Sequence, residues 1–121
     1  KKKKNNQWAH ILYPKKKKMI HTNDSIGMPP HLSWVYYSKT DDQCGNIVWQ
    51  TTVHNKMVTM EERPKEGMLI IFPNWMPHFT KKNNSNNIRI SISGNAKPKD
   101  SDYEAVGREP NNLFNLVGVV Q

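Results

Sequence analysis

Apolar and polar residues alternate in short runs along most of the chain, and turn-forming residues separate these runs. In the clearest run, from Ile88 to Ser93, three isoleucines alternate with Arg89, Ser91 and Ser93. Successive side chains of a strand point to opposite faces of the sheet. The run therefore predicts a strand with one apolar face and one polar face that carries the arginine.

Further runs have the length and composition of strands. We predict them at residues 7–13, 19–21, 31–38, 46–50, 57–60, 67–72 and, near the end of the chain, 112–120. The turn-rich segment 41–45 is expected to join strands 31–38 and 46–50 in a hairpin. Short strands at this spacing, with no internal repeat and no long amphipathic helix, predict an all-β sandwich or jelly roll.

The 121 residues suit one domain. We divide the chain into a polar, basic leader at 1–7, a β core at 8–96 and a C-terminal extension at 97–121 that packs on the core. The leader is expected to be disordered or to belong to a longer N-terminal region. No apolar run approaches the roughly 20 residues that a membrane helix needs, so we predict no membrane association.

The single cysteine, Cys44, excludes an internal disulfide and fits a reducing compartment. We therefore predict a cytoplasmic location, and the cytoplasm of a virus-infected host cell is consistent with it. The net charge is +8, and part of it is concentrated in the tetrads Lys1–Lys4 and Lys15–Lys18. Such density attracts polyanions, so nucleic-acid binding is one interpretation. The other is that the lysines are solvated and keep a small protein soluble.

Two side chains carry candidate chemistry. Arg89 shares its predicted strand face with hydroxyls, an arrangement that suits a carboxylate. His78 follows strand 67–72 after a turn that contains Pro73 and Pro77. Taken alone, His78 could equally be a histidine that is hydrogen-bonded within that turn.

The order of these parts resembles the C-terminal half of the double-stranded β-helix of Fe(II)/2-oxoglutarate-dependent oxygenases. The likeness is strongest to the prolyl-hydroxylase-like members that occur in phages. In those proteins a strand that begins with glycine ends in Phe-Pro, a histidine follows, and Arg-x-Ser comes about ten residues later. Here these parts are Gly67, Phe72-Pro73, His78 and Arg89-Ile90-Ser91. The resemblance covers about residues 8 to 95 and implies a cupin-like jelly roll.

The resemblance also implies an iron site of two histidines and a carboxylate. His78 matches the last ligand, and His21 stands where the family has the first histidine of His-x-Asp. Asn23 occupies the family's carboxylate position and Asp24 comes one residue later. We assign His21, Asp24 and His78 as metal ligands, with Asn23, or water or another anion, as the alternative to Asp24. His31 competes with His21 but lacks a suitably placed carboxylate.

The family's arginine holds the distal carboxylate of 2-oxoglutarate, so the resemblance gives this role to Arg89, with Ser91 assisting. Tyr36 and Tyr37 must point to opposite faces of their strand, and we assign Tyr37 to the cosubstrate. The implied reaction uses O2, decarboxylates 2-oxoglutarate to succinate and CO2, and hydroxylates an unidentified protein, nucleic acid or small molecule.

Two rival functions stay open at the level of sequence. The displaced carboxylate also fits a non-catalytic cupin-like protein that binds a metal or another ligand. The lysine tetrads also fit a basic accessory protein that binds nucleic acid. Iron-dependent turnover of 2-oxoglutarate distinguishes an oxygenase from the non-catalytic cupin-like protein. Salt-sensitive nucleic-acid binding that survives the loss of His78 identifies the accessory protein.

Overall fold

The computed structural model describes residues 7–23, 32–96 and 117–120. This part of the chain consists of strands, turns and loops, and it has no helix that could cross a membrane. The strands in chain order are β1 Gln7–Leu12, β2 Lys18–His21, β3 Leu32–Lys39, β4 Ile47–Val53, β5 Lys56–Glu62, β6 Leu69–Pro73, β7 His78–Thr80, β8 Arg89–Ala96 and β9 Gly118–Val120.

The strands form two antiparallel sheets. The first has the order β1-β8-β3-β6-β9 and the second has the order β2-β7-β4-β5. Most consecutive strands lie in different sheets, so the chain passes repeatedly from one sheet to the other. This is a jelly roll, and it confirms the predicted all-β, cupin-like architecture.

The core fills the space between the inner faces of the two sheets. Its buried members are Val35, Tyr37, Ile47, Trp49, Met68, Ile70, Phe72, Met76 and Val117. The rings of Trp49 and Phe72 meet edge to face across the sheets, with centroids 5.6 Å apart. Close packing of such aromatic pairs stabilises the sandwich beyond the burial of area alone.

The predicted hairpin between strands 31–38 and 46–50 is wrong. β3 pairs with β6 and β8, whereas β4 pairs with β5 and β7 in the other sheet. The connecting segment 41–45 is instead a crossover that is tied to the loop before β8, because Asp41 accepts side-chain hydrogen bonds from Ser85 and Asn87. Turn-forming residues mark a change of direction but not the sheet that the chain enters next.

A true hairpin joins β4 and β5. Its two loop residues, His54 and Asn55, have φ angles of 49° and 61°. Two consecutive left-handed residues are typical of the type I′ turn, whose twist matches that of paired strands. The sequence signal was weak here because histidine replaces the usual asparagine or glycine at the first position.

A β-bulge shapes the edge strand β2. Lys18 pairs with Thr80 and His21 pairs with His78, so two residues of β2 stand opposite the single residue between those partners on β7. A bulge of this kind shifts the alternation of side chains by one position. As a result, Lys18 and His21 both face the space between the sheets although they are three residues apart.

The extension contributes β9, which pairs with β6 at the edge of the five-stranded sheet. Apart from the buried Val117, the rest of the extension lies outside the described residues, as does nearly all of the leader, including Lys1–Lys4. The division into leader, core and extension therefore stays a prediction.

Candidate metal and cosubstrate site

A cavity of about 240 Å³ lies between the two sheets. Its polar lining includes His10, Lys18, His21, Tyr37, His78, Arg89 and Ser91. Pockets for drug-sized ligands are typically about 300–1,000 Å³. The cavity is therefore of a size for a small metabolite or part of a larger substrate.

Two histidines face each other at this cavity. His21 on β2 and His78 on β7 are register partners, and their ring centroids are 4.2 Å apart. Nδ1 of His21 lies 2.8 Å from the carbonyl oxygen of Met19, and Nδ1 of His78 lies 2.9 Å from that of Met76. A ring nitrogen that approaches a carbonyl oxygen must donate a proton. In its neutral form each ring then carries its lone pair on Nε2, which is the arrangement found in metal-binding histidines.

Burial, the largest cause, acts together with neighbouring His21 and Lys18 to lower the pKa of His78 to about 4, although the hydrogen bond to the Met76 carbonyl acts in the opposite direction. The ring is also packed edge to face against Phe72 at 4.8 Å between centroids. His78 is therefore neutral at pH 7, and a neutral imidazole is the form that binds metal ions.

The third ligand position is only partly described. Asp24 and His31 lie outside the described residues, and within the described ranges no third histidine, cysteine, aspartate or glutamate joins the histidine pair. Asn23 does line the cavity. Its Nδ2 donates to Oγ of Ser33 at 3.0 Å, and its backbone N–H donates to the carbonyl of Asn74 at 2.8 Å. The backbone is thus anchored at the cavity immediately before Asp24.

Arg89 lies on the opposite sheet and is only 5% exposed. Its Nη1 donates to the carbonyl of Gly45 at 3.1 Å, and its guanidinium carbon lies 5.3 Å from the centroid of the Tyr37 ring. Its Nε is buried without a hydrogen-bond partner, and no carboxylate of the described segments forms an ion pair with it. A buried, unpaired charge is strongly unfavourable, so this arginine requires an anionic partner.

Hydroxyl groups accompany the arginine. Ser91 follows Arg89 on the same face of β8, and its register partner on β3 is Tyr37. Ser91 and Tyr37 are both buried, whereas Tyr36 is 38% exposed on the other face of β3. Burial raises the pKa of Tyr37 to about 12, so its hydroxyl stays protonated and can donate a hydrogen bond. The polar face of β8 therefore points into the molecule and the isoleucine face points outward.

Two lining residues were not predicted from the sequence. His10 is not among the candidate residues of the sequence, and Lys18 is part of a tetrad interpreted as either solvated or nucleic-acid-binding. Both line the cavity, with Nζ of Lys18 3.3 Å from Nε2 of His10. The alternation of Trp8, His10 and Leu12 on β1 could have indicated His10. Nothing in the sequence indicates the bulge that turns Lys18 inward.

A jelly roll that brings paired histidines and an uncompensated buried arginine to one cavity has the features of an oxygenase that uses a metal and a keto acid. A family model described as "Putative 2OG-Fe(II) oxygenase" matches residues 6–95, about three quarters of the chain. The chain belongs to this 2OG-Fe(II) oxygenase family, which confirms the resemblance. No curated protein and no solved structure matches it.

Proposed function

We propose that the protein is an Fe(II)- and 2-oxoglutarate-dependent oxygenase that hydroxylates a substrate and releases succinate and CO2. The observation that carries the proposal is the buried Arg89, whose Nε lacks a partner, in the same cavity as His21 and His78. One wall of the cavity offers imidazole nitrogens for a metal and the other offers a cation for a carboxylate. A cytoplasmic location is part of this proposal.

His21 and His78 would hold Fe(II) through their Nε2 atoms, which their Nδ1 hydrogen bonds leave available. Asp24 would complete the set, because a hard divalent cation gains more from a charged oxygen than from an amide. The amide nitrogen of Asn23 is already bonded to Ser33, which favours an anchoring role for Asn23. When bound, Fe(II) with 2-oxoglutarate supplies the activation of O2 and the oxidising power.

Arg89 would hold the distal carboxylate of 2-oxoglutarate. A guanidinium can give a carboxylate two parallel hydrogen bonds, and the buried Nε is one donor that such a ligand would satisfy. The hydroxyl groups of Ser91 and Tyr37, which line the same cavity, would donate to the remaining oxygen lone pairs. Phe72 forms an apolar part of the lining.

The test is a titration of 2-oxoglutarate into the Fe(II)-loaded protein without oxygen, for wild type, Arg89→Lys and Arg63→Lys. Lysine keeps the charge of Arg89 but loses the planar pair of donors. We expect Arg89→Lys to weaken 2-oxoglutarate binding by about tenfold or more, at ~1.4 kcal/mol per decade, and to leave Fe(II) binding within about twofold.

Arg63 is an exposed arginine outside the cavity, so Arg63→Lys is the matched control. Equal affinity for 2-oxoglutarate in wild type and Arg89→Lys would contradict the role of Arg89. Iron-dependent formation of succinate by the wild type, followed with candidate substrates, then tests catalysis itself. Metal binding without any succinate would favour the non-catalytic cupin-like alternative.

A further inference from the structure

The proposed chemistry uses neither of the two lysines that line the cavity, the exposed Lys17 and the partly buried Lys18. Of these, Lys18 has a fixed position. The ammonium group of Lys18 has only donors, so the 3.3 Å contact makes Nε2 of His10 the acceptor. His10 is therefore neutral in this contact and carries its proton on Nδ1. Because Lys18 lies on β2 and His10 lies on β1, the contact fixes the ammonium group between the two sheets.

The surroundings of Lys18 are basic. Along the described segments, the ionisable residues that line the cavity are His10, Lys17, Lys18, His21, Tyr37, His78 and Arg89. The lining has no aspartate or glutamate among these residues, and no carboxylate of the described ranges pairs with Lys18. Burial and the charge of Arg89 lower the pKa of Lys18.

The charges of the proposed complex leave Lys18 without a partner. The two carboxylates of 2-oxoglutarate go to the metal and to Arg89. One carboxylate of the keto acid and that of Asp24 together balance the two charges of Fe(II). The other carboxylate of 2-oxoglutarate balances the charge of Arg89. The positive charge of Lys18 remains, partly buried at the edge of the cavity between β1 and β2, and the cosubstrate supplies no anion for it.

We propose that Lys18, held in place by His10, is a specificity-determining residue that binds an anionic group of the substrate, either a carboxylate or a phosphate ester. This inference rests on the proposed function, because that function assigns both carboxylates of 2-oxoglutarate to other partners. The substrate class is thus an acid that places its charged group beside Lys18, at the edge of the cavity between β1 and β2. Trp8 lies beside His10, with ring centroids 6.1 Å apart, and offers an apolar surface to the uncharged part of the substrate.

The test uses the protein loaded with Zn(II), which is redox-inert and diamagnetic, and with saturating 2-oxoglutarate. Methyl phosphate and acetate are titrated in separate experiments while the ring resonances of the histidines are followed by NMR. The His10 resonance is identified by its loss in His10→Gln. We expect a saturable shift of this resonance in the wild type with at least one of the two anions. The preferred anion tells a phosphate ester from a carboxylic acid.

Two variants decide whether Lys18 is the receptor. Lys18→Met should weaken the binding of that anion at least tenfold while its affinity for 2-oxoglutarate stays within about twofold. Lys16→Met removes an exposed lysine outside the cavity and should change neither affinity. Circular dichroism of both variants confirms that they are folded.

Three results would overturn the proposal. They are the absence of a saturable shift in the wild type, unchanged anion binding in Lys18→Met, and a tenfold loss of 2-oxoglutarate binding in Lys18→Met. The last result would make Lys18 a cosubstrate residue. Failure of the proposed function is distinguishable from these, because it appears as a wild type that does not bind 2-oxoglutarate at all.

Discussion

The two walls of the cavity are built differently. Arg89 and Ser91 lie on β8, an eight-residue strand that pairs along nearly its whole length with the eight-residue β3. The histidines lie on a four-residue strand with a bulge and on a three-residue strand. The arginine wall is therefore part of a long ladder inside a sheet. Its pairing with β1 is regular, and its pairing with β3 has one irregularity, between Tyr37 and Lys39. The histidine wall lies at the edge of the other sheet, where β2 has one neighbour.

This difference separates two ways of positioning a functional side chain. On the long ladder, strand alternation directs Arg89 and Ser91 inward, and many backbone hydrogen bonds together hold the strand in place. On the short strands, the direction of His21 depends on one bulge, and each histidine ring is fixed by a carbonyl two residues earlier in the chain. We expect the histidine wall to be more sensitive to local changes than the arginine wall.

The largest effect on activity should come from removing a metal ligand. His78→Ala deletes the buried ring that faces His21, so we expect Fe(II) binding to weaken by at least about 100-fold, or ~2.7 kcal/mol, and succinate formation to fall below detection. Calorimetry under anaerobic conditions measures Fe(II) binding, and product analysis measures succinate formation. His54→Asn, in the exposed β4–β5 turn, is the control, because asparagine tolerates the left-handed backbone there. Metal binding that survives in His78→Ala would exclude His78 from the site.

The second effect concerns the third ligand on the histidine wall. Asp24→Ala should abolish decarboxylation of 2-oxoglutarate, because it removes the only negative charge that the protein is expected to give the metal. Asn23→Ala should keep a large part of the activity, since Asn23 anchors the loop through Ser33. Succinate is measured for both variants with and without Fe(II). The reverse ranking would assign the position to Asn23, and activity in both variants would assign it to an exogenous ligand.

The same contrast explains which parts of the site could be predicted from the sequence. The alternation around Arg89 predicted its strand, and the Tyr36–Tyr37 pair was resolved correctly as one inward and one outward side chain. These predictions succeeded because period-two patterning over a long strand is a direct consequence of backbone geometry. The jelly roll followed from the number and spacing of such strands.

The sequence failed where structure depends on contacts between distant segments. The crossover at 41–45 has the composition of a hairpin turn. Its true path depends on contacts such as the hydrogen bond from Ser85 to Asp41, whose partners are more than 40 positions apart in the chain. The bulge that turns Lys18 inward depends on pairing with β7, a strand too short to be recognised. The histidine wall was therefore predictable only from resemblance to the family.

Gly45 links the crossover to the arginine wall. We expect substitution by alanine to destabilise the protein more at Gly45 than at Gly67. It has a φ of 94°, and an added Cβ would lie 2.3 Å from the carbonyl oxygen of Lys81. Gly45→Ala should lower the free energy of unfolding by about 3 kcal/mol or more. It should also weaken 2-oxoglutarate binding, because the Gly45 carbonyl accepts a hydrogen bond from Arg89.

Gly67→Ala is the matched control for Gly45→Ala. Gly67 has a similar φ of 83°, but an added Cβ meets nothing within 4 Å. Only the backbone penalty of a left-handed residue applies, about 1 kcal/mol. Urea unfolding of both variants gives the comparison. Equal losses would show that the close approach to Lys81 relaxes at little cost.

The pH dependence of the stability of the metal-free protein should be a smaller effect than that of Gly45→Ala. Burial lowers the pKa of His78 from 6.5 to about 4, so between these values the unfolded chain binds a proton that the folded protein does not. Stability therefore falls as the pH decreases through this window, by about 2 kcal/mol from pH 7 to pH 5. His78→Gln lacks this contribution and should lose less stability over the same range. His10, whose pKa burial also lowers, contributes to both proteins and cancels in the difference. Urea unfolding at pH 7 and pH 5 measures both slopes, and parallel slopes would show that His78 becomes protonated as easily in the folded protein as in the unfolded chain.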